Sequence, residues 1–103
     1  MIARHWTGMV KTGMEDAYVQ HLHDETLPQL SALPGFLSMT IMRRPATDGT
    51  EFRVVTVWES MVSIAAFAGD DPEVAVVPAA AQAMMSRFDA RATHYEIVSL
   101  ARS

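Results

Sequence analysis

The chain has 103 residues, half of them apolar and 19% charged, with no cysteine. That is the size of one domain spanning 1–103, able to bury roughly 60–70% of its unfolded surface in a single core without disulfides or a zinc cluster. Eight basic against twelve acidic residues leave a net charge of −4, so there is no general field for nucleic acid or an anionic membrane, and thiol chemistry is excluded outright.

The start, Met1 to Trp6, lacks the basic head and apolar core of a signal peptide. The longest uncharged stretch, Val74 to Ser86, contains Pro78 and falls short of the roughly 20 residues that span a bilayer. A soluble, cytoplasmic protein is expected.

Ile2 to Val10 mixes aromatic, β-branched and polar residues and predicts a strand. Thr12 followed by Glu15 has capping-box spacing and predicts a helix start. Met14 to Leu33 carries apolar residues at helical spacing, with Pro28 kinking or ending the regular part and Pro34-Gly35 closing the segment. Phe36 to Arg43 and Phe52 to Trp58 predict two strands of a hairpin around the turn chemistry of Asp48-Gly49. Ser60 caps a short helix that Gly69 ends. Asp71-Pro72-Glu73 has the order of a second helix start, and Pro78 begins a longer helix over Ala79 to Phe88. Thr93 to Val98 predicts the last strand.

The order β-α-β-β-α-β is the ferredoxin-like, split βαβ arrangement, an α+β fold with a four-stranded antiparallel sheet. In Val54 to Trp58 both side-chain parities are apolar, and the same holds for Phe36 to Met42. Helices cover one face of such a sheet. The other face is therefore expected to meet the same face of a second subunit, giving a homodimer.

Thr56-Val57-Trp58-Glu59-Ser60, Phe67-Ala68-Gly69 and His94-Tyr95-Glu96 resemble the antibiotic biosynthesis monooxygenase family of dimeric α+β barrels, over nearly the whole chain. The resemblance implies a pocket between sheet and helices, and oxidation of a small phenolic, quinol or polyketide-like aromatic by dioxygen with no flavin or metal as cofactor. Haem-degrading members use an Asn, a Trp and a His, and those positions align with Thr7, Phe67 and Val77 or Pro78. This chain has no asparagine at all, which argues against haem cleavage by that arrangement.

Dioxygen reacts slowly with closed-shell molecules, whereas a deprotonated phenol or enol surrenders an electron to it. The chemistry therefore needs a base titrating near neutrality in a dry pocket. At 100° per residue, Met14, Ala17, Tyr18, His21 and Glu25 share one side of the first helix. His21 is the preferred base, with Glu25 four residues on to orient it. The alternative is a half-buried core histidine paired for structural reasons. On the first strand Ala3, His5, Thr7 and Met9 oppose Ile2, Arg4, Trp6 and Val10, and parity alone does not say which set faces the helices. If Thr7 occupies the pocket position, His5 is the second candidate base and Trp6 faces the dimer.

Trp58 and Phe67 are candidates to wall an aromatic substrate, against core packing as the alternative. Tyr95 is a candidate donor to a substrate oxygen or to the partner subunit. Arg44, beside Arg43, is a candidate for binding a carboxylate or phenolate at the pocket mouth, or a solvated strand end. The methionine-rich composition suits an adaptable pocket or an irregular core. Metal-ligand spacing is absent, and no metal is expected. An isomerase on the same scaffold and a non-catalytic ligand-binding or stress-response module are the competing functions. RNA binding is set aside because the third strand lacks the aromatic-and-glycine ribonucleoprotein motif.

Overall fold

Alternation along the strands decides the architecture. The computed structural model describes all residues from Met1 to Ser103. β1 (Ile2–Val10) lies centrally, paired antiparallel with β3 (Gly49–Trp58), and β3 pairs with β2 (Phe36–Ala46). The other edge of β1 is shared by two short strands. β4 (Met85–Phe88) pairs with Gly8 to Val10, and β5 (Thr93–Glu96) pairs with Ile2 to His5. Together they fill the fourth strand position, so the sheet is the antiparallel one of a ferredoxin-like α+β fold, with its last strand interrupted.

The hairpin is longer than expected and turns tightly. Ala46 pairs with Gly49 across Thr47 and Asp48. Gly49 has φ +147°, and a Cβ there would stand 2.3 Å from the Val10 carbonyl oxygen, so only glycine lets the strand start this close to β1.

The first crossover is helical throughout but not uniformly α. α1 (Glu15–His21) passes into a π-turn (Leu22–Thr26) and then α2 (Leu27–Ser31). Pro28 has no N–H and its ring crowds the carbonyl one turn back, so the regular ladder cannot run through it. The chain adds one residue instead, and the Leu27 N–H bonds the Leu22 carbonyl. The expected Thr12 cap does not form. Met14 takes the N-cap position, and the Glu15 carboxylate accepts from the Gly13 N–H at 2.7 Å and from the Thr50 hydroxyl at 2.7 Å.

The second crossover starts as expected. α3 (Met61–Ala68) is capped by the Ser60 hydroxyl, which accepts from the Ser63 N–H, and Gly69 at φ +85° follows it. No helix starts at Asp71-Pro72-Glu73. The Asp71 carboxylate turns back to the Glu73 N–H at 3.1 Å, and an irregular strap leads to α4 (Ala79–Gln82). The helix expected to reach Phe88 stops after one turn, because Met85 to Phe88 is captured by the free edge of β1. The last strand likewise ends at Glu96 rather than Val98.

The core lies between sheet and helices in two groups. Val10, Tyr18, Leu22, Phe52, Val54, Ala81 and Met85 form one, and Leu30, Trp58 and Ile64 the other. The opposite face of the sheet carries His5, Thr7, Arg53, Val55, Val57, Thr40 and Met42, none of them fully buried within one chain. No helix is long and apolar enough to cross a membrane.

Candidate functional site

A cavity of about 70 Å³ separates sheet from helices. The sheet contributes Arg4, Trp6, Val54 and Thr56; the first crossover Tyr18, His21, Leu22, Thr26 and Leu30; the second Phe67, the strap Ala75–Pro78, and Ala81. The wall is mostly apolar with a few polar groups aimed inward, the usual composition of a small-molecule site.

β1 delivers its even residues to this cavity. Trp6 lies along the strand because Gly8 leaves room for it: a Cβ on Gly8 would stand 2.6 Å from Trp6 Cη2 and 2.8 Å from Met85 Sδ. The Trp6 indole N–H donates to the Asp89 carbonyl at 2.8 Å, fixing the ring. Arg4 is only 4% exposed. Its Nη1 donates to the Pro72 carbonyl and to His94 Nε2 at 2.8 Å, and its Nη2 donates to the Val74 carbonyl at 2.8 Å. Arg4 thus ties the strap to the sheet, and its Cζ lies 5.6 Å from the centre of the Phe67 ring. Burial holds its pKa below the ordinary arginine value. Because an arginine only donates, His94 Nε2 is the acceptor and the His94 ring proton sits on Nδ1. Burial, then the Arg4 charge, depress His94, with Glu73 pulling the other way.

α1 supplies the opposite wall. His21 Nε2 is buried and has no hydrogen-bond partner. The ring stacks at 16° on Tyr18, centroids 6.4 Å apart. Tyr18 packs edge-on against Phe52, and burial pushes its hydroxyl well above the ordinary tyrosine pKa, so it stays a proton donor.

The expected site residues divide. His21 and Phe67 line the cavity, as do Val77 and Pro78. Glu25 does not: it is exposed, because the π-turn shifts the helix phase and puts Thr26 below His21 in its place. His5 and Thr7 stand on the other face of the sheet, so neither reaches the cavity, and the strand neighbour between them that does is Trp6. The His5 ring meets Tyr95 edge-on at 5.0 Å, and its Nδ1 lies 3.3 Å from Arg53 Nη1. Tyr95 is 55% exposed on that same face. Trp58 is wholly buried behind the cavity wall, stacked on Phe67 at 5.8 Å, with its N–H donated to the Thr56 hydroxyl at 2.9 Å. Arg44 is far down the hairpin, paired with Glu51 at 2.8 Å in solvent. No three His, Cys, Asp or Glu side chains converge to hold a metal ion.

Arg4, Trp6 and Thr56 were not singled out as site residues, and Tyr18 was placed beside His21 on one helix side without a role. A signal for β1 was present: Ile2, Trp6 and Val10 form a bulkier apolar set than Ala3, Thr7 and Met9, and the bulkier set faces the core.

No curated protein matches the chain significantly. Solved structures do. A Bacillus cereus protein described as an antibiotic biosynthesis monooxygenase superposes with a TM-score of 0.70 at 18% identity, over 100% of this chain and 96% of that one. A variant of MhuD with two manganese protoporphyrin IX molecules per active site gives 0.63 at 20% identity, over 100% of each chain. The ActVA-Orf6 monooxygenase of Streptomyces coelicolor, in complex with Nanaomycin D, gives 0.63 at 20% identity, over 99% of this chain and 92% of that one. At these identities the likeness speaks for the fold. The family assignment comes from the sequence profile for antibiotic biosynthesis monooxygenase, which matches residues 1–72, the stretch holding β1, the first crossover, the hairpin and α3. The chain belongs to the antibiotic biosynthesis monooxygenase family.

Proposed function

We propose that this protein is a cytoplasmic monooxygenase that oxidises a phenolic, quinol or polyketide-like aromatic with dioxygen, and that it works as a homodimer joined through the bare sheet face. Family membership supports the reaction class. The observation that carries the mechanism is the imidazole of His21, set in an apolar cavity with Nε2 buried and unpartnered. A buried polar atom without a partner is uncommon and needs a reason, and a substrate hydroxyl is one.

In this reading His21 Nε2 takes the proton of the bound phenol, and the anion passes an electron to dioxygen. The substrate supplies all the electrons dioxygen takes up. A ring C–H and the phenolic O–H are lost, one oxygen atom enters as a quinone carbonyl, and the other leaves as water. That balance needs no flavin or metal. Tyr18, kept protonated by its burial, donates to the developing oxyanion. Apolar walls exclude water and keep the anion reactive.

The cavity is smaller than the roughly 150 Å³ void that holds a benzene. Ring entry therefore requires part of the wall to move, and Ala75–Pro78, which lies outside any helix or strand, is the part we assign to that movement. Oxygen uptake with a panel of quinols, phenols and anthrones, without added cofactor, tests the proposal. One dioxygen consumed per quinone formed is the expected result. Substrate proton exchange with no oxygen consumed would replace it with the isomerase reading.

A further inference from the structure

Arg4 raises a question that family membership does not answer. Its guanidinium keeps its proton at any working pH, yet it is 4% exposed and its neighbours, two carbonyls, His94 and the Phe67 ring, carry no negative charge. The ion pairs of the chain are Arg44–Glu51, Arg87–Asp48 and Arg91 with Asp71 and Glu73, all at the surface. Arg4 is in none of them, in a chain with acids to spare. Buried charges without a counter-charge are disfavoured unless something else answers them. The tether to the strap uses Nη1 and Nη2, and Nε bonds no protein atom. The same side chain lines the cavity, across from the unpartnered His21 Nε2.

We infer that the ligand of this cavity carries an anionic oxygen, a carboxylate or an ionised phenol, and that the Arg4 guanidinium receives it through its free Nε–H. The inference rests on reading this cavity as the substrate pocket, and it narrows the substrate to acidic aromatics. An anion beside Arg4 supplies the missing counter-charge in a site where water screens little, and a charge-assisted bond there is about twice as strong as a neutral one. The cation for the acidic group thus sits at the cavity floor, not at Arg44.

Benzoate and its neutral isostere benzamide provide the test. The chain has two tryptophans, one on the cavity wall and one stacked behind Phe67, so intrinsic fluorescence reports binding. Benzoate is expected to bind about tenfold or more tighter than benzamide at neutral pH. Arg4→Gln is expected to erase that preference, and Arg4→Lys to keep part of it, since it retains the charge but loses the planar fork. The Arg4→Gln readout counts only where circular dichroism shows it folded. Should it not fold, the wild-type comparison and Arg4→Lys carry the test alone. Titrating 4-nitrophenol across its ionisation tells phenolate from carboxylate: tighter binding of its ionised form, with benzoate no better than benzamide, assigns phenolate. Equal affinities for every charged and neutral pair, no binding of any of them, or a preference undiminished in folded Arg4→Gln would each overturn the inference. If the preference is absent while neutral quinols still drive oxygen uptake, the anion site falls and the monooxygenase stands. If the preference holds and no substrate consumes oxygen, the reverse is true.

Discussion

Arg4 and His5 are neighbours in one strand and have opposite fates. Arg4 stands on the helix-covered side with Trp6, Phe52, Val54, Thr56 and Trp58, against a core and a cavity, while His5 stands on the bare side with Arg53, Val55, Val57 and Tyr95. One face is finished by the chain's own helices and strap. The other is half-buried by its own side chains and carries apolar groups that nothing in a single chain covers. The difference shows where chemistry is affordable: burial that leaves a polar atom unpartnered, as at His21, needs walls on both sides, and only the inner face has them.

Stability is expected to break this symmetry most strongly. Trp58→Ala removes a wholly buried indole that supports Phe67 and bonds Thr56, and a loss of about 3–5 kcal/mol is expected from urea unfolding. Tyr95→Ala, at an exposed site, is expected to change monomer stability little. Equal losses would mean that the two faces are not differently packed. Activity comes next. His21→Ala is expected to lower turnover about a hundredfold or more, ~2.7 kcal/mol of barrier, with His5→Ala leaving it nearly unchanged. A larger effect from His5 would move the base to the outer face.

Assembly sharpens the same contrast. Val55→Asp puts a charge in the middle of the bare face, and sedimentation is expected to show a dimer becoming a monomer while the fold persists. A wild-type chain that sediments as a monomer at high concentration would remove the sheet-to-sheet dimer from the proposal.

Much of this layout was legible in the residues. β1 runs over Ile2–Val10 as its composition predicts, the hairpin turns beside the Asp48-Gly49 pair, across Thr47 and Asp48, and Ser60 and Gly69 bound α3. These depend on local chemistry. What was not legible depends on competition between distant parts. Pro28 announced a disturbed helix, but a proline can be met by a kink, an end or an added residue, and only the structure shows that a residue is added, which exchanges Glu25 for Thr26 under His21. The alanine-rich run after Pro78 has every local reason to stay helical, and the unpaired edge of β1 overrides it from Met85. The glutamate at position 15 read as half of a capping box and instead joins the crossover to the hairpin through Thr50. For the site, periodicity found His21, whereas strand parity needed one more step, a comparison of the bulk of the two side-chain sets in β1.

Smallest in size, but most specific, is the pH dependence of two histidines. His94, inside, is depressed by burial and then by Arg4; His5, outside, by burial and then by Arg53. Both have folded values below the ordinary 6.5, so between the folded value and 6.5 the unfolded chain binds protons that the folded chain refuses. Their contribution to stability is therefore complete above about pH 6.5 and is lost as pH falls through the folded values. His94→Gln and His5→Gln should each flatten part of that slope. Proton NMR titration separates the faces further. If two chains meet across the outer face, His5 loses more water on association and its titration moves lower as protein concentration rises, whereas His94, facing Arg4, Glu73 and the strap within one chain, titrates the same at every concentration. A His94 value that follows concentration, or a His5 value that ignores it, would show that the bare face is not where the copies meet.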